Sequence, residues 1–85
     1  MENQAPYGGT PQLTYGEKLV GITFNPGGNE EVNATKAAFA KEIDRLNDFR
    51  NREDATPEQK RHASIAITEI QGAQMWAVKA LTFPY

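Results

Sequence analysis

Apolar residues fall into three patterned stretches, and each pattern predicts its own element. From Tyr15 to Phe24 the apolar positions are Tyr15, Leu19, Val20, Ile22 and Phe24. Val20, Ile22 and Phe24 alternate with Gly21 and Thr23, which suits an extended segment with one buried face. Thr14 and Glu17 have the spacing of a capping box, which suits one helical turn instead. Both readings stay open, and both require the segment to pack onto something. Further on, Val32, Phe39, Ile43, Leu46 and Phe49 recur at helical spacing and make one stripe. Asn25-Pro26-Gly27-Gly28-Asn29 is a turn ending in a good N-cap, and Glu30 and Glu31 fill the first turn after it. A helix is predicted from Glu30 to about Asn51.

The third stretch has the clearest start. Thr56-Pro57-Glu58-Gln59 puts threonine at the N-cap, proline at the first helical position and glutamine where a capping box needs it. The helix should run from Pro57 to about Leu81, before Phe83-Pro84-Tyr85. The short link between the two helices demands an antiparallel hairpin. One stripe of the second helix holds Ala63, Ile67, Ile70, Gln74, Ala77 and Leu81, while Ile65, Gly72, Met75, Trp76 and Val78 occupy other sides. A helix apolar around so much of its circumference is buried on more than one side. One partner helix covers only one of them. The expected class is all-α: an antiparallel two-helix hairpin with a short N-terminal arm, assembling as a homo-oligomeric helical bundle. Residues 1–14, with two prolines and two glycines, read as the flexible arm, and residues 15–85 as the hairpin oligomerisation and ligand-binding domain.

Composition narrows the function. At 85 residues the chain is near the lower size for a self-sufficient core, and it has no cysteine and one histidine. Disulfides are excluded, and an ordinary zinc site lacks ligands. Association of copies is the support that remains. The net charge of −2 argues against duplex nucleic acid, whose binding is driven by phosphate neutralisation. No apolar run approaches membrane-spanning length, and the N-terminus lacks the order of a signal peptide, so the expected location is the cytoplasm.

No catalytic set emerges, and no cofactor or metal is expected. His62 lies among Lys60, Arg61 and Glu58 and reads as solvated surface. Ser64, two positions on, points to a different side of the helix. Asp44 and Asp48 share a face with charged neighbours and read as solvated. The double glycine Gly27-Gly28 lacks the lysine and hydroxyl of a phosphate-binding loop. Trp76 and Met75 read first as core or interface, secondarily as a shelf for a base. Phe24 is either a staple onto the following helix or a stacking face. Lys79, the only charge in the last turns, is either a snorkelling side chain or a cation aimed at phosphate. Lys36 and Lys41 are ordinary surface charges by default.

Two runs carry a family likeness. One spans Gly16 to Gly28 and includes Ile22-Thr23-Phe24-Asn25-Pro26-Gly27-Gly28. The other spans Ser64 to Thr82 and includes Gln74-Met75-Trp76-Ala77-Val78-Lys79-Ala80. Together they resemble the bacteriophage anti-CBASS and anti-Thoeris helical-hairpin family over about residues 16–83. The resemblance implies a counter-defence sponge, often hexameric, that sequesters cyclic di- and trinucleotide messengers without cleaving them in the host cytoplasm. Some members also take cyclic ADP-ribose isomers. It implies that Phe24, with Thr23 as backbone neighbour, stacks on a base of a dinucleotide. It further implies that Lys36 or Lys41 meets the phosphate and that Lys79 reaches trinucleotides. Lysine at that last position offers a point charge where arginine would offer a fork. The alternative is a small oligomeric adaptor that docks on a host or phage protein.

Overall fold

A computed structural model describes residues 12–85, which form three helices: α1 (Tyr15–Val20), α2 (Glu30–Arg50) and α3 (Pro57–Thr82). The expected arm falls largely on residues 1–11, outside the described residues. Thr14, placed within that arm, is the N-cap of α1.

The two readings of residues 15–24 resolve in favour of helix. Glu17 N–H donates to Thr14 Oγ1 at 3.0 Å, and Thr14 N–H donates to the Glu17 carboxylate at 2.9 Å. This reciprocal pair satisfies two donors that a helix start otherwise leaves open. The apparent alternation from Val20 to Phe24 is not a strand. Gly21 adopts φ 64° and stops α1, its N–H returning to carbonyls of the last turn. Val20 is buried, Ile22 half-buried and Phe24 exposed, so the three do not share a face against the core.

The longer helices start where their caps predict. The Asn29 side chain accepts from Glu31 N–H at 2.8 Å and Val32 N–H at 3.1 Å. Thr56 and Gln59 exchange two bonds of 2.8 and 3.1 Å. The hairpin is antiparallel: Arg50, at the end of α2, donates to Ser64 near the start of α3 at 2.9 Å. At the other end Val32 and Lys36 share a cleft with Val78 and Leu81.

The core joins all three elements. Val20, Ala40, Ile43 and Ile67 are its buried centre, with Leu19, Ile22, Phe39, Leu46 and Ile70 packed around them. Helix α1 crosses α2 where Gly16 meets Ala40, so closely that a Cβ on Gly16 would lie 2.1 Å from the Ala40 carbonyl oxygen. Asp44 corrects the expectation of a solvated face. Its Oδ1 accepts the Gly16 N–H at 2.6 Å, satisfying an open donor in the first turn of α1. Arg50 ties the same corner together. It donates to Asn47 Oδ1 at 2.9 Å, to Ser64 Oγ and to the Tyr15 hydroxyl at 3.2 Å, with its guanidinium over the Tyr15 ring.

The fold is thin. Its Cα atoms span 13 Å along the shortest axis, the depth of about two packed helices. Among the described residues Ile43 is the one large side chain fully buried, at 0% exposure. The predicted inner stripe of α3 is confirmed by buried Ala63, Ile67 and Gln74. Of its other apolar positions, Gly72 and Val78 are half-buried while Ile65, Met75 and Trp76 are open to solvent, Met75 67% and Trp76 72% exposed. Trp76 therefore takes no part in the chain's own core. No helix of the described residues is long and apolar enough to cross a membrane.

Candidate functional site

The loop between α1 and α2 is built by its own polar groups. Asn25 brackets it, donating from Nδ2 to the Asn29 carbonyl at 2.8 Å and accepting Asn29 N–H at 3.2 Å. Gly28 N–H closes a turn on the Asn25 carbonyl at 2.9 Å, and Gly28 takes φ 63°, where a side chain would be strained. Upstream, Phe24 N–H donates to the Gly21 carbonyl at 2.9 Å. The loop thus presents the Phe24 ring outward, 71% exposed, and the staple reading of Phe24 fails.

Between this loop and the C-terminal end of α3 lies a cleft of about 570 Å³. Val32, Val78 and Leu81 supply apolar walls. Phe24, Pro26 and Gly27 supply loop surface, and Asn25, Asn29 and Thr82 add polar edges. Its one charged lining group is Lys36. Lys36 is only 5% exposed, and a buried ammonium must be hydrogen-bonded to be tolerated. Its Nζ donates to the Gly21 carbonyl at 3.0 Å and to the Phe24 carbonyl, and it lies 5.5 Å from the Phe24 ring centroid. Two of its three N–H groups are thereby used. The default of an ordinary surface lysine is wrong for Lys36. The cleft lining contains no carboxylate, histidine or cysteine, and the Thr82 hydroxyl donates to the Val78 carbonyl at 2.8 Å. The cleft thus sets one ammonium and one exposed aromatic ring among apolar walls.

Lys41 is exposed on α2 and outside this cleft, so of the two helix lysines only Lys36 joins Phe24. Thr23 is exposed and does not line the cleft. Lys79 sits elsewhere, in a recess of about 300 Å³ lined by Trp76, Ala80, Phe83 and Tyr85. Its Nζ is 5.5 Å from the Trp76 ring centroid and 6.0 Å from that of Phe83. Phe83 and Tyr85 meet edge to face at 5.3 Å. His62 is exposed as expected, 3.3 Å from Glu58.

Sequence reasoning passed over Asn25, Val78, Leu81 and Thr82 as parts of the cleft. The signal was present in the hairpin itself: antiparallel pairing brings the last turn of α3 beside the first turns of α2.

The Acb2/Tad1 hairpin domain matches residues 17–82, from within α1 to the last residue of α3. The chain belongs to this family. Acb2/Tad1 proteins are the anti-CBASS and anti-Thoeris sponges, so the likeness seen in the two sequence runs is a true relationship. No curated protein and no solved structure matches the chain. The matched segment contains the whole loop, Phe24, Lys36, Lys41 and Lys79. It leaves out Thr14–Gly16, which anchor α1, and the Phe83–Tyr85 tail beside Lys79.

Proposed function

We propose that this protein is a phage counter-defence sponge that assembles with copies of itself and sequesters cyclic oligonucleotide messengers intact in the host cytoplasm. One observation carries the reading: in a chain of the Acb2/Tad1 family, an exposed aromatic face and a buried ammonium share one cleft. Phe24 stacks on a base of a cyclic dinucleotide and Lys36 supplies the positive charge beside its phosphate. Lys79, with Trp76 and Phe83, forms a second site for cyclic trinucleotides. Thr23, outside the cleft lining, takes part only as the backbone neighbour that carries Phe24 into it, and Lys41 stays outside. Cyclic ADP-ribose isomers, which share the ring-plus-phosphate chemistry, are candidates for the same clefts.

Magnitudes require more than one copy. Stacking contributes about 1–3 kcal/mol per base and a charge-assisted hydrogen bond about 1.5–3 kcal/mol. One Phe24 and one Lys36 give about 2.5–6 kcal/mol, well short of the roughly 12 kcal/mol of nanomolar binding. A symmetric pair of clefts acting on a symmetric ligand doubles the gross term. The exposed apolar flank of α3, with Ile65, Met75 and Trp76, supports assembly through that helix. A hexamer is the expected size for this family.

The test is calorimetric titration of cyclic di-GMP, a cyclic triadenylate and a cyclic ADP-ribose isomer into protein whose assembled mass is measured by native mass spectrometry. Tight binding by an oligomer, loss of dinucleotide binding by at least about tenfold in Phe24→Ala, and recovery of unaltered ligand after heating are expected. A monodisperse monomer that binds none of the three would overturn the proposal and leave the adaptor reading in its place.

A further inference from the structure

The Lys36 ammonium is spent on the protein before any ligand arrives. It bonds the carbonyls of Gly21 and Phe24, which bound the three-residue step from the end of α1 to the aromatic. The Gly21 carbonyl it holds is the same one that accepts Phe24 N–H, so one oxygen anchors both the loop turn and the lysine. The chain is also held there by the last turn of α1, through Gly21 N–H to Lys18 and Ile22 N–H to Glu17, by Ile22 packed on the core, and beyond Phe24 by the Asn25–Asn29 bracket. None of those restraints touches the Phe24 carbonyl, which Lys36 of α2 bonds directly, so this side chain helps to fix where the Phe24 ring stands. A flexible aromatic would lose part of its stacking gain in being ordered at each binding event, and a strut from a rigid helix removes that cost in advance.

We infer that Lys36 is a positioning residue of the ligand cleft: it works through Phe24, by tying down the loop that carries the ring, as well as by its charge. The inference rests on the sponge reading for its ligand, and on the hydrogen bonds alone for its mechanism. It separates Lys36 from a cation that merely faces a phosphate. A simple counter-charge would act independently of the aromatic, so removing both would add their effects. A strut acts through the aromatic, so once Phe24 is gone the strut has less left to contribute.

The test has two arms on the full-length protein. In the first, amide hydrogen exchange is followed without ligand in wild type and Lys36→Met, which keeps the aliphatic stem and removes the donors. Exchange at Phe24 should quicken by about tenfold or more, while Ile43 and Ile67 in the core stay protected. Unchanged exchange at Phe24 overturns the inference whatever the ligand. Should the core amides also lose protection, Lys36→Leu, which likewise fills the apolar site without a donor, is measured instead against the same criterion. In the second arm, dissociation constants for cyclic di-GMP are compared in Lys36→Met, Phe24→Ala and the double variant. Each single change should weaken binding by about tenfold to a hundredfold. The double variant should be little weaker than the worse single one. Fully multiplicative losses overturn the positioning role and leave Lys36 as a counter-charge. Quickened exchange at Phe24 in a protein that binds no cyclic nucleotide would overturn the sponge reading, and the role in ligand binding with it, while the loop strut itself stood.

Discussion

Gly16→Ala is the sharpest perturbation of this fold. The added methyl would sit 2.1 Å from the Ala40 oxygen, 2.9 Å from its carbonyl carbon and 3.0 Å from its Cα. All three are backbone atoms in the middle of α2, so no side chain can swing away, and α1 must move. Moving it stretches the Gly16 N–H···Asp44 bond, a charge-assisted contact worth about 1.5–3 kcal/mol. Overpacking adds about 1–3 kcal/mol. Against these, alanine for glycine in a helix returns at most about 1 kcal/mol. The clash wins, with a net loss of about 2–4 kcal/mol once partial relaxation is allowed. For a chain of this size that lowers the melting temperature by about 10–30 °C. The assay is thermal unfolding at fixed protein concentration, paired with amide exchange across residues 15–24. Fast exchange confined to α1 and its loop, with α2 and α3 still protected, is the expected pattern. A melting temperature equal to or above wild type would refute the close-contact argument.

Gly72→Ala is the contrasting case, since nothing lies within 4 Å of a Cβ built there. Helix propensity predicts a gain of up to about 1 kcal/mol in the isolated fold, so loss of assembled mass in native mass spectrometry would assign Gly72 to a close helix–helix seam. Lys79→Glu reverses the charge in the Trp76–Phe83 recess and should weaken cyclic triadenylate binding by more than about tenfold, leaving cyclic di-GMP unaffected. Equal losses for both ligands would merge the two sites into one. Acid should weaken the fold slightly through two surface pairs. Arg45 beside Glu42 and Arg52 beside Asp54 hold those carboxyls below their ordinary values. Their contribution is present above about pH 4 and is lost as pH falls through the lowered values. Both pairs are solvent-exposed, so the effect is small and salt-sensitive. An Arg45→Met, Arg52→Met double variant should flatten the acid limb of a melting-temperature profile, and an unchanged limb would show the pairs to be inert.

What the sequence made legible is what neighbouring residues decide among themselves. The Thr56–Gln59 box and the Asn29 cap lie within three residues of the groups they satisfy, and both helices start where they say. Residues 15–24 were undecidable because two local rules competed, an alternation and a capping box. The hydrogen bonds of the box, and the absence among the described residues of a strand to pair with, favour helix. Asp44 and Arg50 were opaque for another reason. Their partners, Gly16 and Tyr15, lie 28 and 35 residues away, and no pattern near either residue hints at them. Lys36 and Lys41 look alike in one dimension. Only the crossing of α2 beneath the loop makes one a buried strut and leaves the other in water. The family likeness named the candidate residues, and the geometry separates them into a cleft with Phe24 and Lys36 and a recess with Lys79.

A fold only about two helices deep keeps a small interior, centred on Ile43, and leaves most helix positions at its surface. Helix α3 shows one edge to its own chain and another to solvent, so a change at Met75 or Trp76 should leave the chain's own packing intact and be felt in the proposed assembly. Mutational tolerance should therefore divide by helix edge, with inner positions governed by folding and outer ones by association.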